Sequence, residues 1–306
     1  MSRTGPDARR VLRPPPGYRL AASVQPLLFS RYDPCARIVD GIFWWAARTP
    51  AGAATLALRP VGGELRADGY GPGAGWVVDQ ADAIAGLCDD LTGFAELAAT
   101  HPVLARLAAQ HAGLRMPTTG LVFARVLRAV LEQKVTGTEA YRAYAATVRH
   151  FAEAAPGPMQ PLLLPPEPAA VAASPYWVFH PFGVEQRRAE TLRRAATVAD
   201  RLERCPDSSA ATRRLTAING IGPWTTAEVV RVAYGDADAV SVGDYHVPNT
   251  VAWALAGEPR ADDARMLELL EPFRGHRGRV CRLLEAAGIH APRFGPRMPI
   301  RSFARF

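Results

Sequence analysis

The segment Leu215–Trp253, LTAINGIGPWTTAEVVRVAYGDADAVSVGDYHVPNTVAW, holds the residues whose types and spacing suit chemistry. Gly220-Ile221-Gly222 makes a tight turn after a helix ending near Ile218. Pro223 starts the next helix, where its missing N–H costs nothing. The glycines permit backbone geometries and a close approach that side chains would block. The turn amides and the helix N-terminus behind them form an anion site suited to a phosphate, with Ile221 plugging the turn into the core. An ordinary helix–turn–helix connection would show the same two glycines. Asp244 follows Gly222 by 22 residues, past a helix over 225–234 and a turn over 235–238, in a Val-Gly-Asp loop entering a helix from about Tyr245. A carboxylate there either caps that helix or stabilises a sugar cation.

Helices must position these residues. Phe123, Val126, Leu127, Val130, Leu131 and Val135 recur at three- and four-residue spacing, which predicts an amphipathic helix with Thr118 or Thr119 as N-cap. Helices are also expected over 139–154, 186–204 and 207–218. The stretch 155–168, APGPMQPLLLPPEP, reads as a Pro-rich connection. Before residue 80 the texture differs. Apolar runs over 42–46, 53–58 and 63–67, broken by glycine and proline, read as strands, and 82–91 as a helix. Trp44-Trp45 could stack bases, but packing inside a sheet is the commoner use of such a pair.

Charge points to a polyanionic partner. The 306 residues carry a net charge of +7, and Glu271–Phe306 holds eight arginines against two acids. Arg274, Arg277 and Arg279 in this stretch are candidates for phosphate contacts or for a solvated helix face. A GC-rich genome would also raise the arginine count. Lys134 is the only lysine, so chemistry needing an amine has one candidate. Cys35, Cys88, Cys205 and Cys281 form no CxxC pair, so neither a zinc site nor an iron–sulfur cluster is expected. No stretch approaches the roughly 18 apolar residues of a membrane helix, and the Arg/Pro-rich N-terminus lacks an apolar signal core. We therefore expect a cytoplasmic protein that makes no membrane contact.

The pattern LxxIxGIGPWT followed by Gly243-Asp244 resembles the helix-hairpin-helix Gly/Pro…Asp signature of base-excision DNA glycosylases. Gly113–Thr118 with FARVLRAVLEQKVT, GVEQRRAETL over 183–192, and Glu271–Arg277 resemble segments of the bacterial inducible 3-methyladenine DNA glycosylases (DNA-3-methyladenine glycosylase II). The resemblance covers roughly residues 18–285 and is weakest in the first hundred. It implies that Gly220, Ile221 and Gly222 hold a DNA phosphate, with or without a monovalent cation, and that no other cofactor is needed. Asp244 would be the catalytic carboxylate, and Trp224 would line the base pocket, where an indole can also attract a cationic base; a core tryptophan is the alternative. In bifunctional relatives the residue at position 224 is a lysine that attacks C1′. Trp224 instead implies a monofunctional hydrolase that leaves the strand intact.

The chain departs from that pattern in three places. Lys134 stands where an apolar wedge usually fills the gap left by the flipped base, with Gln133 beside it as a residue that could face the orphaned base. Glu228 and Arg282 stand where pocket tyrosine and tryptophan are usual, which puts the lesion preference in question. His246 could touch sugar or phosphate or serve as a cap, and Tyr245 reads as packing. A deaminated or bulky-adduct purine is the alternative substrate, and a non-catalytic DNA-binding module the alternative class. The expected architecture is α+β and mostly α. It comprises a disordered arm over 1–17, an α+β domain over 18–112, a helical domain of two subdomains over 113–290 with the hairpin at about 210–234, and a basic tail over 291–306. The expected partner of this monomer is double-stranded DNA bearing damaged bases, near the nucleoid.

Overall fold

The computed structural model describes residues 5–292, so the tail beyond Pro292 and residues 1–4 lie outside it. The strands are β1 (Ala8–Leu12), β2 (Ala36–Val39), β3 (Ile42–Thr49), β4 (Gly52–Val61) and β5 (Glu64–Tyr70), paired antiparallel in the order β1-β5-β4-β3-β2. The helices before the hairpin are α1 (Leu20–Ser23), α2 (Ala74–Asp79), α3 (Ala81–Ile84), α4 (Phe94–Ala99), α5 (Pro102–Gln110), α6 (Val122–Leu131), α7 (Gly137–Phe151), α8 (Pro168–Ala173), α9 (Gln186–Thr197) and α10 (Ala199–Glu203). The hairpin joins α11 (Ser208–Thr216) to α12 (Pro223–Ala233), and α13 (Val247–Ala256), α14 (Asp263–Leu270) and α15 (Arg277–Ala286) follow. The fold is thus α+β and mostly helical. No helix among the described residues is long and apolar enough to cross a membrane.

Strand alternation buries both faces of the sheet. Phe43, Trp45, Leu56 and Leu58 pack with Val77, Ala81 and Ile84 on one side. Trp44, Ala46, Ala57 and Tyr70 pack on the other against Ala155, Leu162 and Leu164. The Pro-rich connection is therefore the cover of a sheet face, pinned by Ala155 N donating to Leu162 O and Leu163 N donating to Pro34 O. Trp44 stacks on Tyr70 with centroids 6.0 Å apart, so the tryptophan pair serves packing.

Three expectations change. Residues 8–12 are not a disordered arm: they form the edge strand β1, laddered to β5 from Ala8↔Gly69 to Leu12↔Leu65. Arg9 Nε donates to the buried Asp68 at 2.6 Å, giving the basic residues a partner that sequence cannot show. Nor does the first domain run to residue 112. α4 and α5 leave the sheet and pack Phe94, Leu104 and Leu107 against Val251, Met266, Leu270 and Leu284. Finally, neither Thr118 nor Thr119 caps α6. The Glu203 carboxylate does so from α10, accepting from Val122 N and Phe123 N at 2.8 Å each.

The helical part consists of two clusters. One gathers α6, α7, α9, α11 and α12 around Phe123, Leu127, Leu192, Leu215, Ile221 and Val229. The other is the α4–α5–α13–α14–α15 group. The loop between α12 and α13 passes from one to the other and delivers Asp244.

Candidate active site

The hairpin turn is built differently at its two glycines. Gly220 has φ +100°, and a Cβ there would lie 2.0 Å from Thr191 Oγ1, so only glycine fits. Gly222 has an ordinary φ of −108°, and a Cβ would meet nothing within 4 Å. Its lack of a side chain leaves open space in front of the helix instead. Ile221, between them, is buried in the helical core as expected. Among the described residues, the amides of Gly220 and Gly222 donate to no carbonyl, so they are left for an acceptor that approaches from outside. The carbonyls are committed: Ile218 O accepts from Ile221 N, Asn219 O from Arg194 Nη1, Gly220 O from Gln133 Nε2, and Gly222 O from Thr226 N and Oγ1.

Asp244 is held at both oxygens. Oδ1 accepts from His246 N at 2.7 Å and Val247 N at 2.9 Å, closing the N-terminus of α13. Oδ2 accepts from Trp224 Nε1 at 2.9 Å. Asp244 therefore caps its helix, and it also faces the residue that follows the glycine turn; the capping function orients the carboxylate for the second. Gly243 N bonds both carboxylate oxygens of Asp263 at 3.0 Å, and Ser241 Oγ donates to Glu228 Oε1 at 2.6 Å, so the loop before Asp244 is tied at two further points.

No family model matches the sequence, and no curated protein matches it. Solved structures do resemble it. The 3-methyladenine DNA glycosylase from Archaeoglobus fulgidus superposes with a TM-score of 0.73 at 18% identity, over 90% of this chain and 97% of that one. The 8-oxoguanine glycosylase/lyase from Clostridium acetobutylicum superposes in its apo form with a TM-score of 0.70 at 10% identity, over 92% and 97%. In complex with double-stranded DNA that enzyme gives 0.68 at 12% identity, over 89% and 91%. This chain has the fold of the helix-hairpin-helix DNA glycosylases.

Within the glycosylase fold, the expected site residues divide. Gly220, Ile221, Gly222, Trp224 and Asp244 come together, with Glu228 one turn further along α12. Arg282 does not join them. It is 5% exposed, and it donates to Ala22 O at 2.8 Å and to Glu285 at 3.1 Å, fastening α15 to the sheet domain. Its neighbour Cys281 lies within electrostatic reach of Arg231, Asp244 and Glu228. Burial, reinforced by the two carboxylates, pushes its thiol up to about 12.

Gln133 ties two elements together through its side-chain amide. Its amide donates to Gly220 O at 2.9 Å and Thr225 Oγ1 at 2.8 Å, fixing the end of α6 to the hairpin. Lys134 follows it with φ +54° at an exposed tip, and the Thr136–Glu139 capping box of α7 holds the far side.

The candidate phosphate arginines have internal partners. Arg277 binds Asp238 through Nε and Nη2, and Arg274 pairs with Glu271 in its own turn. Arg279 forms a buried two-pronged bridge to Asp89 at 2.6 and 2.7 Å. Arg277 and Arg279 are thus structural fasteners. Tyr245, expected to pack, is 83% exposed beside Asp244, its ring edge-on to His246 at 4.9 Å. Arg231 went unsuspected, although its spacing of seven from Trp224 puts it on the same helix face.

Proposed function

We propose that this protein is a monofunctional DNA glycosylase that flips an alkylated purine of the 3-methyladenine type out of duplex DNA and hydrolyses its N-glycosidic bond, leaving an abasic site. The observation that carries the reading is Asp244, oriented by three hydrogen bonds next to Trp224 and near a turn whose two glycine amides donate to no carbonyl among the described residues. Bond cleavage builds positive charge on C1′ and the ring oxygen of the sugar. A fixed carboxylate stabilises that charge and orients water toward C1′. The Gly220 and Gly222 amides would hold a phosphate beside the flipped nucleotide, and Lys134 at its exposed tip would enter the vacated gap or meet a phosphate. An alkylated purine already carries positive charge, so it leaves without a strong general acid, and the Trp224 ring face favours it.

Hydrolysis without strand cleavage follows from the amines available. A lyase step needs an amine at C1′, and Trp224 occupies the hairpin position that would supply it. The test is base release, read by mass spectrometry, from duplexes each bearing one defined lesion, with wild type set against Asp244→Asn. Free base from wild type only, together with no borohydride-trapped adduct, supports the reading. Silence of wild type across the lesion panel would favour a DNA-binding module.

A further inference from the structure

The deep end of this site is ionic. Trp224, Glu228 and Arg231 lie at four- and three-residue spacing along one face of α12, so Glu228 sits about 6 Å along the helix from Trp224. Both Glu228 oxygens are in use: Oε1 accepts from Ser241 Oγ, and Oε2 from Arg231 Nη2 at 2.9 Å. Glu132, just past the end of α6, precedes Gln133, which bonds Gly220 O and Thr225 Oγ1, and it lies within electrostatic reach of Glu228 and Arg231.

Unlike Glu228, Glu132 has unused acceptors. Its side chain is 23% exposed; among the described residues its closest cation is Arg128 Nε at 3.7 Å, and no side chain or amide donates a hydrogen bond to its carboxylate. Burial raises its pKa, with Arg128 opposing and Glu228 reinforcing; Arg125 and Arg231 also lie within electrostatic reach. The cations nearby are underused as well. Arg231 Nε and Arg125 Nε are buried without a hydrogen-bond partner, and burial, helped by Arg128, lowers Arg125 to about 9. At 23% exposure the carboxylate still meets water, so a ligand donor would replace a water there without displacing any bond from the chain.

We propose that Glu132 is a specificity-determining residue, whose carboxylate accepts an N–H from the edge of the flipped base and so selects cationic purines over neutral ones. The proposal rests on the glycosylase reading above. An alkylated purine is positively charged and its N–H groups are correspondingly acidic, so a carboxylate opposite them adds ion-pair attraction to a hydrogen bond that a neutral base makes without it. An undamaged or deaminated purine offers the same kind of N–H without the charge. A hydrogen-bonding wall also rejects analogues that lack the donor far better than an apolar wall does.

The test uses the full chain with Glu132→Gln, which keeps shape and one acceptor oxygen but removes the charge. Substrates are duplexes bearing 7-methylguanine, a cationic base, or hypoxanthine, a neutral one. Binding to abasic duplex, which presents no base, reports whether fold and DNA grip survive. We expect kcat/KM on 7-methylguanine to fall about 10- to 100-fold, with abasic binding unchanged and hypoxanthine release, where wild type shows it, altered less than about threefold. Glu132→Asp, which keeps the charge, should retain the preference for 7-methylguanine and guards against loss of fold in the first variant. An unchanged 7-methylguanine rate, or equal losses on both lesions, overturns the role of Glu132 while leaving the glycosylase reading standing. Absence of any base release by wild type overturns both.

Discussion

Trp224 donates its indole N–H to Asp244 Oδ2 at 2.9 Å, which joins the residue after the hairpin to the carboxylate that the next loop delivers. Two elements separated by 20 residues are thereby locked in register. The bond also fixes which face of the carboxylate is left for a substrate, since Oδ1 is engaged by the α13 amides.

Trp224→Phe tests that bond. The ring remains for stacking, and the donor is lost. A hydrogen bond to a charged acceptor contributes about 1.5–3 kcal/mol, so base release should slow about 10- to 100-fold. Because Asp244 acts on the sugar cation formed during reaction, the loss should fall on kcat with KM little changed. A change confined to KM would mean that Trp224 only binds the base.

Asp244→Asn keeps shape but removes the charge. It also replaces one acceptor oxygen with an NH2 donor, so with that group toward the indole two donors meet and Trp224 Nε1 loses its acceptor. Base release should fall by at least about 100-fold, while binding to abasic duplex should hold or tighten because a negative charge near phosphate is gone. Single-turnover kinetics and abasic-duplex titration read the two effects separately. Weakened abasic binding would show that Asp244 chiefly supports the fold.

The two hairpin glycines should respond differently to alanine. Gly220→Ala meets Thr191 Oγ1 at 2.0 Å and carries φ +100°, so we expect a loss of about 1–3 kcal/mol of stability, visible in the thermal midpoint. Gly222→Ala meets nothing and has an ordinary φ, so melting should be unchanged and duplex affinity weaker, since the new methyl stands where a phosphate would approach. Equal effects on melting from both would remove the case for an open phosphate seat at Gly222.

These differences show what could be read from residue order. The turn, the proline and the Asp244 loop are local signals, and each sits where its spacing implies. The arginines are not local. Whether Arg277 meets a phosphate or Asp238, or Arg282 a base or the Ala22 carbonyl, depends on what another part of the chain brings beside it. The same holds for Glu203, which caps α6 from 80 residues away. The strand β1 was hidden because Arg9 and Arg10 mark a solvated arm unless Asp68 and Asp82 stand next to it.

Acid should loosen the loop that delivers Asp244 through Asp238. Burial raises the carboxyl of Asp238, but hydrogen bonds from the Arg277 side chain and amide, its charge, and the Gly275 amide outweigh this and hold the pKa below the ordinary carboxylate value. A lowered pKa in the folded state means that the ionised carboxylate stabilises the fold above the ordinary value, near 4. That contribution is lost as pH falls through the lowered one. Asp238→Asn should therefore reduce the thermal midpoint near neutral pH and flatten its dependence on pH below about 4. An identical acid limb in variant and wild type would place the acid sensitivity elsewhere.

Lys134 and Arg277 separate contact from support. Lys134 is exposed at a loop tip braced by Gln133 on one side and the α7 capping box on the other. If it enters the duplex or meets a phosphate, Lys134→Ala should leave melting unchanged and weaken duplex binding. A phosphate contact would lower the slope of log affinity against log salt by about 1, and a gap-filling role would leave the slope and weaken only lesion or abasic duplex. Arg277 spends its guanidinium on Asp238, so Arg277→Ala should lower the melting temperature without changing the salt slope. The reverse pattern, with Arg277 governing the slope and Lys134 silent in every duplex, would move the DNA footprint from the α6–α7 tip to the start of α15.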